Sequence, residues 1–531
     1  MEPVGYAFLI QRFQLPTLPL PVARVVTDAL PDRRLRDRGG ELLEEFGPAY
    51  RPKPTAIGHL RFALRYEGVN LEVLSLLFDR IGSEEIQVAL RAQPTSTVPR
   101  RLAYLFEWLT GRPLELAGDA LPEKLRYVSV LDESLQFGLA LASSPRIEKY
   151  KVIDNLPGTP AFCPLVRKTP YLNMMVGKDL KARTRATLEK YDRQLLMRAA
   201  AYLYLKETHS SFEVERVKPS ATKAQRFADL LHDAETSKAL SEERFVELQN
   251  AVVDPRFAEA SYRQSQNWVG TDYGHRVQID FVPPRPEDVR ALMDGLVAMT
   301  ERIRAHPDVI DSVVAASMTS FGFVFVHPFK DGNGRLHRYL IHEQLSAAGF
   351  TPKGIILPVS AVILAHLDRY KETLESFSRH VRKRTSYDPH VPTAPATGND
   401  AVYFRYFDAT EQASFLYDAL ERTVEHDLDA EISFLLGFDR AQAALSSIAD
   451  WPEHSLDIFI RVVRQNDGRL SANKRKSHFE WMTDEEVARF EAIVERAFRF
   501  DVDSDDITRQ ARLRGAGSRA RNREGQEPEQ E

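Results

Sequence analysis

Residues 327–338 form the segment that most constrains this chain. They read His-Pro-Phe-Lys-Asp-Gly-Asn-Gly-Arg-Leu-His-Arg. Gly332, Asn333 and Gly334 give the backbone freedom to point successive N–H groups into one concavity, and a helix is predicted to begin at the same place. Because the helix dipole and these amides both attract negative charge, the segment predicts a binding site for phosphate.

The charged residues of the same segment predict phosphate-transfer chemistry. Arg335 and Arg338 lie three positions apart on the first turn of the predicted helix, on one face, where they could grip the outer phosphates of a nucleotide. Asp331 is placed to hold a Mg²⁺ ion that bridges phosphates, and His327 is a candidate general base for an attacking hydroxyl. A Gly-Asn turn between two core helices with solvated arginines is the alternative.

The order His-Pro-Phe-x-Asp-Gly-Asn-Gly-Arg-x-x-Arg resembles the signature of the Fic (filamentation induced by cAMP) family, and every position that the family fixes is filled here. The resemblance implies that His327 takes the proton from a protein hydroxyl and that Asp331 holds Mg²⁺. It also implies that the amides of residues 332–334, together with Asn333, hold the α- and β-phosphates of ATP.

The same resemblance implies the reaction. Arg335 and Arg338 would neutralise the β- and γ-phosphates while AMP passes from ATP to a Ser, Thr or Tyr side chain of a target protein, releasing pyrophosphate. Related proteins with lysine in place of Gly334 transfer a phosphate instead, so glycine at this position favours AMP transfer. The function expected from the resemblance is that of a protein adenylyltransferase with ATP and Mg²⁺ as its ligands.

A second motif ends a long helical pattern that begins at residue 179. Residues 211–216 read Ser-Phe-Glu-Val-Glu-Arg, which resembles the inhibitory motif of Fic proteins: Ser or Thr, three residues, Glu, then Gly or Asn. The resemblance implies an inhibitory role for Ser211 and for Glu215, whose carboxylate would pair with Arg338 and repel ATP. Arg216 departs from the family pattern, because a long cation there could compete for Glu215 or change the helix end. An ordinary surface glutamate beside a helix end is the alternative.

Two short predicted strands, 262–270 and 276–284, flank a Thr-Asp-Tyr-Gly turn. This pattern resembles the flap hairpin of the family, whose exposed strand edge could pair with an extended segment of a target protein. The target hydroxyl would then lie in line with the α-phosphate. Trp268 and Val269 either press on the target or pack beneath the flap. The partner implied is a protein with an exposed hydroxyl in an extended segment.

Other elements follow the same resemblance. A helix is predicted over 287–305, an apolar segment over 309–326 leads into the signature, and a helix is predicted over 334–348. Tyr370 is a candidate wall of the adenine pocket, as an aromatic residue is in relatives, and a core tyrosine is the alternative. His337 occupies a position that the family does not fix, and packing or solvent is its expected environment.

The predicted fold class is mainly α, with a Fic-type helical core, a small β-hairpin flap, and helical N- and C-terminal domains. A chain of 531 residues exceeds what one hydrophobic core usually supports. The predicted domains are a helical N-terminal domain over 1–165, a catalytic core including the inhibitory helix and the flap over 166–385, a linker over 386–400, a helical C-terminal domain over 401–500 and a disordered tail over 501–531. The basic run at 33–38 is expected on a solvated loop or helix face.

Composition excludes several classes of function. A net charge of −5, from 71 basic and 76 acidic residues, gives no bias toward nucleic acids or membranes. The single cysteine, Cys163, excludes an internal disulfide and a thiolate metal cluster. The N-terminus lacks a secretory pattern, and the apolar runs fall short of the ~20 residues that span a bilayer. A cytoplasmic location is expected, and the oligomeric state, including a homo-oligomer, stays open.

Two further functions stay open beside AMP transfer. In the first, the same site runs in reverse: Glu215 orients a water molecule, and AMP is removed from a modified protein. In the second, the chain is a non-catalytic, nucleotide-sensing regulatory scaffold in which the flanking helical units do the work. The intact His327 argues against the scaffold.

Overall fold

The computed structural model describes residues 1–38, 41–115, 121–122, 124–234, 238–305, 310–391, 395–452 and 454–499. The predicted disordered tail and part of the predicted linker lie outside the described residues. The strands are β1 (Glu2–Pro3), β2 (Val22–Val26), β3 (Arg33–Arg38), β4 (Glu41–Phe46), β5 (Val128–Ser129), β6 (Arg146–Ile147), β7 (Val152–Ile153), β8 (Val269–Asp272) and β9 (Val277–Phe281).

Helices make up most of the rest, and the predicted mainly α class is confirmed. They are α1 (Gly5–Phe13), α2 (Ala56–Tyr66), α3 (Leu71–Ile81), α4 (Glu84–Ala92), α5 (Thr97–Thr110), α6 (Pro170–Gly177), α7 (Leu180–Leu188), α8 (Arg193–Val214), α9 (Ala221–Asp233), α10 (Glu242–Val252), α11 (Pro286–Arg304), α12 (Ser312–Val326), α13 (Asn333–Ala347), α14 (Val359–Ala365), α15 (Leu367–Arg384), α16 (Ala401–Arg405), α17 (Thr410–Arg422), α18 (Leu428–Ser446), α19 (Ser455–Gln465), α20 (Ala472–His478) and α21 (Asp484–Ala497). Within the described residues, none of these helices has both the length and the apolar character needed to cross a bilayer.

The N-terminal region opens with a sheet, which the sequence analysis did not predict. Its strand order is β1-β2-β4-β3, with β2 and β4 parallel and the other pairs antiparallel. The expectation that the basic run lies on a solvated loop or helix is wrong, because the run forms β3. Arg34 and Arg36 pair with Glu45 of β4 at 3.0 and 2.9 Å. Cross-strand ion pairs thus support a strand that lacks the usual alternation of apolar residues.

Contacts divide the chain into two compact units. The first consists of Met1–Arg185 and Tyr204–Arg422, and the second of Ala186–Leu203 and Thr423–Glu531. This division differs from the predicted domains, since the N-terminal region and the predicted core fall in one unit. Phe162, from the predicted N-terminal domain, packs closely on two helices of the predicted core. A Cβ added to Gly322 of α12 would lie 2.7 Å from the Phe162 ring, and a Cβ added to Gly295 of α11 would lie 2.7 Å from Phe162 Cβ. In the second unit, α18, α19 and α21 pack around Phe459 and other buried apolar residues.

The central helix of the first unit is α12. Asp311 caps it, because its Oδ1 accepts hydrogen bonds from the amides of Val313 and Val314 at 2.9 and 3.1 Å. From Val313 to Val326 every residue except Val324 is buried, as expected for a helix that is apolar on all faces. It packs against α11, α13 and α17. The next loop therefore starts from a rigid, fully packed helix.

Candidate active site

The loop between α12 and α13 contains the predicted anion-binding turn. His327 ends α12 in the left-handed region at φ 51°, and Gly332 precedes α13 at φ 88°. Glycine adopts that conformation without strain, whereas for histidine it costs about 1–2 kcal/mol. A Cβ on Gly332 would also lie 2.9 Å from Val253 Cγ1. Backbone conformation and lack of space both require glycine at this point, and the first amides of α13 are left available to an anion.

The Asn333 side chain closes this loop. Its Nδ2 donates to Phe329 O at 2.7 Å, and its Oδ1 accepts from Phe329 N at 3.1 Å. Asn267 Nδ2 also donates to Phe329 O, at 3.0 Å. Asn333 is 2% exposed. A contact between Asn333 and a phosphate would therefore come from its main-chain amide, while its side chain fixes the loop.

Three more polar side chains, which the sequence analysis missed, hold the loop from outside. Arg263 Nε donates to His327 O at 2.9 Å, and Gln249 Nε2 donates to Asp331 O at 3.3 Å. Glu259 Oε1 accepts from the amide of residue 330 at 2.7 Å. Irregular buried backbone needs such partners. These residues stand about 60 to 80 positions away in sequence, so their role is visible only once the chain is folded.

The hydrogen bonding of the His327 ring fixes which of its nitrogens carries the proton. Its Nδ1 lies 3.2 Å from Val324 O. A carbonyl only accepts, so Nδ1 carries the proton of the neutral ring and Nε2 keeps the lone pair. Burial, and then the charge of Arg263, lower the pKa of His327 to about 4, against the smaller opposite effects of the Val324 carbonyl and Asp331.

We expect the His327 ring to titrate near pH 4, well below the ordinary histidine value of about 6.5. Burial disfavours the imidazolium, so the ring stays neutral as the pH falls through 6 and gains its proton only near 4. NMR of the ¹⁵N-histidine-labelled protein measures this, with His327→Gln identifying the signal. A midpoint near 6.5 would show that burial does not lower the pKa of this ring.

One carboxylate bridges the two arginines of the signature. Glu215 Oε2 lies 2.8 Å from Arg335 Nε, and its Oε1 lies 2.8 Å from Arg338 Nη2. Both arginines are buried, at 2% and 1% exposure. The sequence analysis paired Glu215 with Arg338 alone. The pair with Arg335 follows from how the end of α8 lies across the first turn of α13.

Two neighbours of Glu215 fix this end of α8. Arg338 donates to Ser211 twice, from Nε to Oγ at 2.8 Å and from Nη2 to the carbonyl oxygen at 2.6 Å. The Arg335 guanidinium lies 5.2 Å from the centre of the buried Phe212 ring, within cation–π range. The helix end is thus held to both arginines by a hydroxyl, a carbonyl, an aromatic ring and a carboxylate.

Further back on α8, Glu207 is fully buried. It accepts hydrogen bonds from the amide and hydroxyl of Ser360 on α14, the first at 2.8 Å, and it lies 2.7 Å from His342 Nε2 on α13. These contacts hold the middle of α8 against the helices of the site.

The long helix predicted from residue 179 is in fact two helices, α7 and α8.

Arg216 adopts the left-handed conformation at φ 57°. The amide of Arg216 donates to Glu213 O at 2.8 Å and the amide of Val217 to Phe212 O at 3.1 Å, which is the Schellman pattern for ending a helix. Gly or Asn is favoured at this position because of the backbone. The Arg216 side chain is exposed, and the ion pairs of Glu215 are with other arginines.

We expect Arg216→Gly to raise the free energy of unfolding by about 1 kcal/mol, because it relieves the left-handed strain. ATP affinity should stay within about twofold, since the two ion pairs of Glu215 remain. Arg216→Ala is the control, because it removes the cation and keeps the strain. Denaturant unfolding and nucleotide titration measure these effects. A large change in ATP affinity in both variants would show instead that the cation competes for Glu215.

Asp331 stands at the edge of the turn. Its Oδ1 accepts from the Gly332 amide at 2.6 Å and from Arg335 Nη2 at 2.9 Å, and 47% of its side chain is exposed. Both donors use Oδ1, so Oδ2 is the oxygen that could reach a cation. The described residues contain no cluster of three or more metal-binding side chains. A single available carboxylate oxygen suits Mg²⁺, which often takes one or two carboxylates and completes its shell with water and substrate phosphates.

Gly334 leaves room for the Glu215 carboxylate. A Cβ at this position would overlap Glu215 Oε1 and would lie 3.4 Å from Arg338 Nη1. Any larger residue at 334 would therefore compete for space with the carboxylate in this arrangement.

The Tyr370 ring is buried beside Arg338. Its ring stacks near His337 at 6.0 Å between centres and lies 5.6 Å from Phe415. Burial raises the pKa of its hydroxyl, which Arg338 opposes. His337 is fully buried with its Nδ1 2.8 Å from Ser320 O, and burial lowers its pKa to about 3. A role for Tyr370 beside adenine stays a prediction.

The flap is an antiparallel hairpin of β8 and β9. Residues of β8 are all exposed, and Val269 is 38% exposed, whereas Trp268 just before the strand is half-buried. At the far end of β9, Phe281 packs on Phe325 of α12 and Phe377 of α15, at 6.5 and 6.4 Å between ring centres. One end of the hairpin is therefore fixed in the core while β8 exposes its backbone.

The turn at Gly332, the two buried arginines and His327 thus lie together in one candidate site for a phosphate ligand. Residues 239–345 match the model of the Fic/DOC family. This part of the chain is therefore similar to the Fic domain. The matched segment includes the loop and the flap and excludes Ser211, Glu215 and Tyr370.

Proteins from animals share this domain. The chain is 37% identical over 103 residues to the protein adenylyltransferase Fic of Aedes aegypti, which covers 19% of this chain and 18% of that protein. It is 36% identical over 73 residues to the protein adenylyltransferase Fic of Nematostella vectensis, which covers 14% of this chain and 17% of that protein. The chain thus spans less than a fifth of the length of these curated relatives.

Solved structures are similar at low sequence identity. A Fic family protein from Desulfovibrio desulfuricans is 19% identical with a TM-score of 0.35, over 56% of this chain and 87% of that one. A Fic domain containing signaling protein from Bacteroides thetaiotaomicron is 20% identical with a TM-score of 0.33, over 47% of this chain and 95% of that one.

Proposed function

We propose that this protein transfers AMP from ATP to a hydroxyl group of a target protein and that Glu215 restrains this activity. The observation that carries the proposal is the loop after α12. It places a histidine with a free Nε2 lone pair four residues before a turn whose amides and arginines suit phosphates. The relatives named protein adenylyltransferase Fic support the same chemistry.

The proposed reaction uses the residues of this chain in turn. His327 Nε2 takes the proton of the target hydroxyl, and the hydroxyl oxygen forms a bond to the α-phosphorus of ATP. The bond from the α-phosphorus to the oxygen that bridges to the β-phosphate breaks, and pyrophosphate leaves. The amides of Asn333 and Gly334 stabilise the charge that develops on the phosphate oxygens.

The outer phosphates would lie against Arg335 and Arg338, whose guanidiniums offer paired donors. Asp331 would hold Mg²⁺, which neutralises phosphate charge when it is bound. Adenine would lie near Tyr370. The exposed β8 edge, with Trp268 and Val269 at its start, would pair with an extended segment of the target.

The restraint is electrostatic. The Glu215 carboxylate accepts a hydrogen bond from Arg338 Nη2 and forms an ion pair with Arg335, so it occupies the two guanidiniums that a γ-phosphate would need. A phosphate oxygen brought within about 4 Å of this carboxylate would be repelled by roughly 1–4 kcal/mol, depending on how much water screens the pair. Productive ATP binding therefore requires the end of α8 to move or Glu215 to turn away.

The proposal is tested by incubating the Glu215→Gly variant with ATP and a cell extract and searching the peptides by mass spectrometry. AMP on Ser, Thr or Tyr residues, absent when His327→Ala is also present, is the expected result. Unmodified peptides, in a variant that binds ATP, would refute the transfer reaction.

Removal of AMP is a second candidate, favoured by one observation. The Glu215 carboxylate is 24% exposed and lies against the predicted phosphate turn at Gly334, where it could orient a water molecule. The test is to add wild-type protein to a target that the Glu215→Gly variant has modified. Release of AMP by the wild type, and none by the Glu215→Gly variant, is the result that this second reaction requires.

A further inference from the structure

Arg263 is a buried arginine bonded to main-chain carbonyls. It is 1% exposed. Its guanidinium donates to His327 O at 2.9 Å, to Ser265 O at 3.1 Å and to Pro284 O at 2.6 Å. Its own amide donates to Pro328 O at 2.8 Å. Side chain and main chain together therefore hold two successive carbonyls of the catalytic loop.

The two other carbonyls belong to the stems of the flap. Ser265 lies four residues before β8, and Pro284 lies three residues after β9. Asn267, on the first stem, bonds to Phe329 O of the same loop at 3.0 Å. The base-bearing loop and both ends of the target-binding hairpin are thus joined through one guanidinium.

Linking these segments through a buried cation carries a desolvation cost. Burying a charge without a close carboxylate costs several kcal/mol unless hydrogen bonds compensate. Glu259 and Glu287 act on Arg263 only as more distant charges, and burial lowers the pKa of Arg263 to about 10. The planar guanidinium supplies three donors in a fixed fork, and its positive charge adds to the effect of burial in lowering the pKa of the neighbouring His327 ring.

We propose that Arg263 is the positioning residue of the AMP-transfer site: it holds His327 in its left-handed backbone conformation and sets it against the flap that carries the target hydroxyl. This inference rests on the proposed function. It assigns no contact between Arg263 and ATP. Displacing a catalytic group by about 1 Å can cost 10²-fold in rate, whereas the arginines and amides that bind phosphates lie elsewhere on α13.

The test uses the full chain in the Glu215→Gly background. Arg263→Met removes the charge and the fork, and we expect kcat to fall about 100-fold while KM for ATP stays within about threefold. Arg100→Met is the matched control. Arg100 is also buried, at 2% exposure, and bonded to carbonyls, but it lies on α5 away from the loop. We expect kcat of this control to stay within threefold.

The titration midpoint of His327 is a second readout, which separates a positioning role of Arg263 from a general loss of stability. The charged groups that act on the His327 ring are Arg263 and Asp331, and only the first changes in these variants. Removing that positive charge should raise the His327 titration midpoint in Arg263→Met and leave it in place in Arg100→Met. Should Arg263→Met fail to fold, Arg263→Lys keeps the charge but not the fork, and we expect a lower kcat with an unchanged midpoint.

The outcomes distinguish a positioning role of Arg263 from a purely structural one, and both from failure of the proposed function. An unchanged kcat and midpoint in Arg263→Met would overturn the inference, as would equal losses of kcat in Arg263→Met and Arg100→Met. If the Glu215→Gly protein itself transfers nothing while it binds ATP, the proposed function fails. The midpoint, which needs no activity, would still support or overturn the link between Arg263 and His327.

Discussion

Replacing Glu215 with glycine is expected to tighten ATP binding on the order of 10- to 100-fold and to start AMP transfer. The wild-type carboxylate holds both Arg335 and Arg338 at 2.8 Å. Its removal leaves two buried guanidiniums with unused donors, and a phosphate supplies the missing charge. Repulsion between the carboxylate and a phosphate oxygen about 4 Å away is roughly 1–4 kcal/mol, and about 1.4 kcal/mol corresponds to tenfold in affinity, which gives this range.

Isothermal titration with ATP measures the change in affinity, with Glu213→Gly as the matched control. Glu213 is exposed on the last turn of α8, two residues before Glu215, so its replacement loosens the helix end without removing a contact to either arginine. We expect the control to bind ATP as the wild type does. Equal affinities in the Glu215→Gly and wild-type proteins would show that Glu215 does not restrain the site.

Replacing His327 with alanine in the Glu215→Gly background is expected to lower transfer by about 10²- to 10⁴-fold, the range over which a positioned general base contributes. ATP affinity should stay within about threefold, because the phosphate contacts lie on α13. Rate measurements at saturating ATP test this. The exposed His390→Ala variant is the control. A parallel loss of ATP affinity would place His327 among the binding residues instead of the base.

The turn and its arginines could be predicted from sequence because their roles are local. A left-handed glycine before a helix and two arginines one turn apart depend on a few neighbouring residues, and the structure places Gly332, Arg335 and Arg338 accordingly. The hairpin was predictable for the same reason, although its first strand is Val269–Asp272 and not the predicted 262–270, and Thr271 and Asp272 of the predicted turn belong to that strand.

The residues that hold the loop could not be predicted in this way. Arg263, Gln249 and Asn267 are ordinary polar residues in the sequence, and only folding brings them to the loop carbonyls. The pair of Glu215 with Arg335 likewise depends on how α8 crosses α13.

One wrong prediction, for β3, and one alternative left open by the sequence, for Arg216, have physical explanations. The strand β3 was missed because it has charged residues where apolar alternation would be expected, and cross-strand pairs with β4 support it. Arg216 looked like a competitor for Glu215 because the sequence shows its charge. The structure shows its backbone angle, which explains the preference for Gly or Asn at that position.

The most direct test of AMP transfer compares ATP labelled on the α-phosphate with ATP labelled on the γ-phosphate. Both are incubated with the Glu215→Gly variant and cell extract, and with the same variant carrying His327→Ala. Label on proteins from α-labelled ATP alone, lost with His327→Ala, is the predicted result. Label from γ-labelled ATP, or none from either although ATP binds, would contradict AMP transfer at this site.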